Sequence, residues 1–156
     1  MFDWLIIGGG IHGVHIAGRL LREAELSADK LRILDPGQRL LERWRECTAT
    51  TGMTHLRSPS VHHLDFDPWA LQRFAGQKKA GRKHLFAPPY DRPALSLFND
   101  HCAQVIETLK LADLHVRARA ARCTVNCSDV CITLCSGEEL KARNVVLAIG
   151  ASEQPE

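Results

Sequence analysis

Hydrophobic and polar positions change period several times along the chain, and each change marks an element. Trp4-Leu5-Ile6-Ile7-Gly8 is a continuous apolar run closed by glycine, which predicts a short strand buried on both faces over residues 4–8. From Ile11 the spacing lengthens. Ile11, Val14, Gly18 and Leu21 recur on one helical face with Ala17 and Ala24, while Arg19, Arg22 and Glu23 take the other. The small residues let such a helix lie close on a sheet. Leu31–Asp35 predicts a second strand, stopped by Pro36-Gly37. Strand, glycine turn, helix and strand in that order make a βαβ unit with parallel strands.

Beyond this unit the pattern weakens. Residues 38–47 predict one short amphipathic helix through Leu40, Leu41 and Trp44. From there to about residue 92, prolines at 59, 68, 88 and 89 punctuate the chain and only 69–75 suggests a helical turn or two. Met53, Leu56, Leu64, Trp69 and Phe74 argue against disorder there, except around 77–84. Helical spacing returns over 93–112, with Pro93 suited to the first turn and Leu97, Cys102, Val105, Ile106 and Leu109 facing inward. The remainder is strand-rich. Leu114–Val116 is a short strand, Cys123–Cys127 and Val130–Cys135 form a hairpin turning at Ser128-Asp129, and Asn144–Ile149 is a fully buried strand running into Gly150.

One motif carries chemistry. Gly8-Gly9-Gly10-Ile11-His12-Gly13 fits G-x-G-x-x-G, leaves an apolar strand, opens a helix, and is followed 22 residues after Gly13 by Asp35 at the end of the next strand. Gly8 allows the tight turn, Gly10 lets a pyrophosphate approach the backbone, and Gly13 lets helix and strand pack closely. The N–H groups of Ile11 and His12 then face a diphosphate, aided by the helix dipole. Asp35 would accept hydrogen bonds from ribose hydroxyls. The motif alone does not separate FAD from NAD(P).

With this motif, Asp35, Trp44, Gly52-Met53, Leu56-Arg57-Ser58-Pro59 and the closing Ala148-Ile149-Gly150, the chain resembles the N-terminal part of the class B flavin monooxygenases, within them the bacterial lysine/ornithine N-hydroxylase branch. The resemblance implies that the first glycine motif binds FAD, that Trp44 stands where the family has a Trp nine residues after the acid, and that the segment holding Met53 passes the flavin. It also places Arg57 near the flavin, with an ion pair anchoring the loop as the plain alternative. Ala148 and Gly150 belong to a strand that reads A-T-G in many members and here carries Ile149 in place of Thr. The cofactor-binding residues so expected are Gly8, Gly10, Ile11, His12, Gly13, Asp35, Trp44, Met53, Arg57, Ala148 and Gly150. The flavin end is expected between Trp44–Ser58 and Ala148–Gly150. Such monooxygenases carry a second glycine motif for NADPH, and none occurs in these 156 residues. NADPH use is therefore expected only with sequence beyond this chain, as is the small-molecule substrate region, and the chain alone is not expected to be an active enzyme.

Composition narrows the alternatives. Hydrophobic residues make up 45% and charged residues 24%, and no apolar run approaches the ~18–20 residues that span a bilayer. Met1–Ile7 lacks a basic leader and a cleavage site, so the reading is of a cytoplasmic chain. Twenty Lys+Arg against 18 Asp+Glu leaves +2, too balanced to argue for nucleic acid or acidic lipid. The basic run Lys78–His84 is read as a solvated loop, or as an electrostatic guide for an anionic cofactor or partner. Six cysteines without a secretion signal point to reduced thiols. Cys123, Cys127, Cys131 and Cys135 recur every four residues, but the hairpin puts Ile132 opposite Val125 and splits them across two faces, so they are packing residues rather than one tetrahedral metal site. His55, His62, His63 and Asp65 match no metal-ligand spacing, and no metal is expected.

The expected fold is α/β, a Rossmann-like FAD/NAD(P)-binding fold of the three-layer ββα type. Its parallel sheet carries helices on one face and a small antiparallel β-meander crossover on the other. Residues 1–156 are read as one FAD-binding domain, incomplete relative to the enzymes it resembles. Its function is expected to be FAD binding for a flavin-dependent oxidoreductase, similar to an NADPH-dependent N-hydroxylating monooxygenase. Two rivals stay open at this point: an NAD(P)-binding Rossmann module of a dehydrogenase, and a non-catalytic dinucleotide-binding or regulatory module. A homo-oligomer or a second chain supplying the nicotinamide site also stays open.

Overall fold

The structure is a computed structural model and describes residues 1–77 and 85–150. The basic run at 78–84 lies outside the described residues. Backbone contacts divide the chain into two compact units, Met1–Trp44 with Lys110–Glu156, and Arg45–Leu109.

The first unit begins with β1 (Phe2–Ile7), two residues earlier than its apolar run, and α1 (Ile11–Arg22) follows the glycine turn where expected. A short 3-10 turn at Ala28–Lys30 leads into β2 (Leu31–Asp35), which pairs parallel with β1, Trp4 beside Leu31 and Ile7 beside Leu34. The predicted βαβ unit is therefore formed. On α1 it is Gly13, Val14, Ala17 and Gly18 that are buried, whereas Ala24, expected inward, is exposed beyond the helix end.

After residue 110 come a 3-10 turn at Leu111–Leu114 and the strands β5 (His115–Arg117), β6 (Ala120–Val125), β7 (Val130–Leu134) and β8 (Glu139–Leu147). They complete one six-stranded sheet in the order β5-β2-β1-β8-β7-β6. The first four strands of that order run parallel, and β7 runs antiparallel to both β8 and β6. The meander is thus joined to the parallel sheet by hydrogen bonds through β8. The start of β8 pairs with β7, Lys141 beside Cys131, and its end pairs with β1, Leu147 beside Ile7. Ile132, Leu134 and Ala142 pack with Leu5, Ile7 and Leu34 into one buried cluster. Because side chains alternate along a strand, Ile6 points to the opposite face, toward Gly13 of α1. Helix on one face and meander on the other is the expected layering.

Three expectations for these strands need correction. The hairpin turns over Asn126–Asp129, with Asn126 N–H bonded to the Asp129 carbonyl at 2.8 Å and its side-chain amide to the Asp129 carboxylate at 2.7 Å. Val130 therefore lies opposite Val125 and Ile132 opposite Cys123, a shift of two residues from the two-residue turn. An even shift keeps every side chain on its face, so Cys131 still lies away from Cys123, beside Thr124, while Cys127 falls in the turn. Second, β8 starts five residues before Asn144 and is not fully buried: Asn144 and Leu147 are exposed. Third, β5 sits one residue later than expected, because the Leu111–Leu114 turn uses Leu114 as a core residue.

The second unit holds most of α2 (Glu42–Thr50), then α3 (Ala70–Gly76), a two-stranded ribbon of β3 (Phe86–Ala87) and β4 (Arg92–Pro93), and α4 (Leu95–Thr108). Helix α2 starts four residues later than the pattern at 38–47 predicted. Leu41 has φ of +63°, and the preceding turn is held by two carboxylates, Asp35 on Gly37 N–H and Glu42 on Gln38 N–H. Helix α4 is shorter than 93–112, because Pro93 pairs with Phe86 in the ribbon and Lys110 turns left-handed. Leu97, Cys102 and Val105 are buried as predicted, as are Leu56, Leu64, Leu71 and Phe98.

Candidate functional site

The glycine turn is built by close approach. Gly8 has φ of +114°, and a Cβ there would stand 2.3 Å from the Ala148 carbonyl oxygen. Its N–H bonds to the Leu34 carbonyl and the Ala148 N–H to the Ile7 carbonyl, both at 2.8 Å. Gly8 therefore sits where β1, β2 and β8 end together. A Cβ on Gly13 would stand 1.9 Å from the Gly8 carbonyl oxygen, so only glycine lets α1 start this close to β1. Gly10 differs. Its φ of −76° is open to any residue, and a Cβ there would meet nothing within 4 Å. The space above the start of α1 is open while the floor below it is full.

Gly10 is also the N-cap of α1, where no side chain among the described residues caps the helix and no acid stands in the first turn. The N–H groups of the first turn and the positive end of the helix dipole are left for an anion. Ile11 is half-buried and His12 exposed, so both backbones are reachable at the surface.

Asp35 closes the turn from the side. Its Oδ2 accepts the Gly9 N–H at 2.7 Å and its Oδ1 the Gly37 N–H at 2.8 Å. Its backbone carbonyl takes a bond from the His115 ring at 3.1 Å and a longer one from the Ala118 N–H at 3.2 Å. A carboxylate so engaged keeps further lone pairs for ribose hydroxyls. It does a second job that sequence reasoning missed, that of fixing the glycine loop. Beyond the ends of β1, β2, β5 and β8 lies a cleft of about 300 Å³ lined by Gly8, Asp35, Pro36, Arg43, Arg119 and Ile149 among others. The crevice at the carboxyl ends of parallel strands is where open α/β sheets bind ligands.

The residues expected to hold a cofactor fall in both units. Gly8, Gly10, Ile11, His12, Gly13, Asp35, Trp44, Ala148 and Gly150 belong to the first, with Trp44 and Ala148 half-buried and Gly150 exposed at φ of +67°. Met53 and Arg57 belong to the second, Met53 half-buried and Arg57 exposed. Arg43 and Arg119 were not singled out from the sequence. The available signal was position, Arg43 immediately before Trp44 and Arg119 just past a parallel strand.

In the second unit His63, one of the histidines weighed as a metal ligand, is bonded within its own segment. His63 accepts the Asp65 N–H on Nδ1 at 3.1 Å, and its Nε2 lies 3.2 Å from the Pro68 carbonyl. Its ring meets His101 of α4 edge-on, with centroids 5.0 Å apart. His101 is 1% exposed, and burial first, then the neighbouring His63, pushes its pKa down to about 4 against the pull of Asp65. Nothing in its spacing marked it beforehand.

The sequence profile of the FAD-NAD(P)-binding family matches residues 5–152. The chain belongs to that family. Among solved structures this FAD-NAD(P)-binding chain is similar to an oxidized steroid monooxygenase bound to NADP, with a TM-score of 0.68 and 15% identity over 99% of this chain and 28% of the other. It is similar to OTEMO in complex with FAD and NADP, with a TM-score of 0.66 and 15% identity over 99% and 27%. It is also similar to a flavin-containing monooxygenase from Stenotrophomonas maltophilia, with a TM-score of 0.59 and 23% identity over 100% and 42%. At these identities the likeness is one of fold. The chain spans between about a quarter and two fifths of these monooxygenases' length. No curated protein sequence matches it. Among the described residues of this FAD-NAD(P)-binding chain, no helix is long and apolar enough to cross a membrane.

Proposed function

We propose that residues 1–156 form an FAD-binding domain of a flavin-dependent monooxygenase, most similar in kind to the NADPH-dependent N-hydroxylases. The observation that carries the reading is the glycine turn, full beneath Gly8 and Gly13 and open above Gly10 at an uncapped helix start. A pyrophosphate fits there, held by the N–H groups of Ile11 and His12. The ribose of the adenosine half falls to Asp35, whose carboxylate is already fixed by Gly9 and Gly37. An acid at this position favours a free 2′-hydroxyl and opposes a 2′-phosphate, which supports FAD over NADP in this turn. The Met53–Ser58 segment and the β-meander before β8 favour FAD over NAD, by the resemblance that brought in the monooxygenases.

When bound, FAD supplies the redox chemistry, and this chain's residues bind and orient it. Trp44, Met53, Arg57, Ala148 and Gly150 are assigned to the flavin portion. NADPH and the small-molecule substrate are assigned to sequence beyond this chain, and the domain to a cytoplasmic protein. Titration of the purified chain with FAD and, separately, with NADH tests the reading. Saturable FAD binding at one equivalent is expected, and a protein that binds NADH but not FAD overturns it in favour of the dehydrogenase module.

A further inference from the structure

The six-stranded sheet ends at β6, which pairs with β7 and, among the described residues, with no strand on its other side. From Ala121 to Val125 every residue is exposed, Val125 at 76%. The Asn126 N–H reaches back to the Asp129 carbonyl, so the backbone groups of Thr124 and Arg122 turn toward β7 and those of Cys123 and Val125 turn outward. A bulge between Ala120 and Arg122 ends the regular stretch at Arg122. Outward donors and acceptors on an exposed edge are a template for another strand, and natural edges are often guarded by proline or lysine. Arg122–Val125 carries neither.

The sequence of this edge matches itself. Laid antiparallel against a second copy with Thr124 on the two-fold axis, Cys123 of each copy faces Val125 of the other, and the outward N–H and C=O groups of both residues are paired. Thr124 then meets Thr124 and Arg122 meets Asn126, so no like charges stand opposite each other. On the face shared with Val130 and Ile132, the exposed Val125 is covered by the Cys123 side chain of the other copy. The two neighbouring registers are worse. With Arg122 on the axis two guanidinium groups oppose, and with Cys123 on the axis Val125 runs onto the bulge at Ala121.

We infer that β6 docks on β6 of a second copy of this chain, joining two six-stranded sheets through an antiparallel pair centred on Thr124. The edge holds none of the residues assigned to FAD. A contact this short belongs to the weak class of interfaces, which form as concentration rises. Sedimentation equilibrium of the whole chain is expected to show a mass moving from one chain toward two between about 1 and about 300 μM. Val125→Pro removes an outward N–H and leaves the bonds to β7 in place, and Val125→Lys sets a guarding charge on the edge. Both variants should stay single chains over that range, and Val125→Lys decides the matter where Val125→Pro does not fold. The register is read with Thr124→Cys, oxidised by oxidised glutathione. On the axis its two copies have Cα atoms about 4.5 Å apart, within disulfide reach. Peptide mass spectrometry should find the introduced thiol joined to its own copy in preference to Cys123 or Cys127. A parent chain that stays single throughout overturns the proposal, as does a Val125→Lys variant that pairs as the parent does. Links spread evenly among the exposed cysteines overturn it as well.

Discussion

The carboxylate of Asp35 accepts the amide hydrogen of Gly9 at 2.7 Å, tying the glycine turn to the end of a strand twenty-six residues later. The same side chain holds Gly37 at 2.8 Å, so one acid fixes two loops that border the cleft. Asp35→Ala is expected to lower stability by about 2–3 kcal/mol, the scale for losing two partly buried bonds to a charged acceptor. It should also weaken FAD binding at least tenfold. Denaturant unfolding together with FAD titration checks this. Lost affinity at full stability would mean that the acid serves the ribose alone.

Gly13 and Gly8 make the complementary case, in which packing and not the ligand decides. A methyl group at Gly13 would stand 1.9 Å from a backbone carbonyl that no side-chain rotation can move. Gly13→Ala should therefore destabilise the domain by more than about 3 kcal/mol or prevent folding, placing it among the severe single substitutions. Thermal unfolding of the purified variant reads it out.

Asp35, Gly8, Gly10 and Gly13 were legible in the sequence because strand, turn and helix signals there are local and mutually consistent. The same holds for Leu31–Asp35. Other features were set by distant partners. Leu40 and Leu41 look helical, yet the turn before α2 is fixed by the carboxylates of Asp35 and Glu42. Pro93 suits a helix start, yet it pairs with Phe86. The hairpin register depended on a side-chain bond from Asn126 to Asp129, which alternation of apolar residues cannot reveal. Arg43 and Arg119 line one cleft only once the parallel strands are aligned, so position, beside Trp44 and just past a strand, was the one signal either carried.

His101 makes the second unit sensitive to acid. It is buried, its Nδ1 has no hydrogen-bond partner among the described residues, and His63 and Asp65 are the charged groups that shift it besides burial. Its folded pKa is depressed to about 4 from the ordinary 6.5, so the neutral form is favoured by folding. The stabilisation is complete above about pH 6.5 and is lost as pH falls through about 4, a loss of roughly 3 kcal/mol. His101→Phe should flatten the pH dependence of the unfolding midpoint across that window. An unchanged profile would remove His101 as its source.

The cysteines should divide by burial. Cys102 is fully buried, and desolvation pushes its pKa up to about 12 despite the nearby Arg45, so its thiolate is scarce at neutral pH. Cys47, Cys123, Cys127 and Cys135 are exposed thiols. Alkylation of the native protein followed by mass spectrometry should label these four quickly, and Cys102 only after unfolding. Rapid native labelling of Cys102 would contradict its place in the core.

Gly10 tests the central claim most directly, because its Cβ position faces open space and its backbone is ordinary. The measurement is FAD titration of Gly10→Val beside the parent chain. A folded variant is expected, within about 1 kcal/mol of the parent's stability as for other helix N-cap changes, with FAD affinity lowered at least a hundredfold. A variant that binds FAD as tightly as the parent would contradict the placement of the pyrophosphate over this turn.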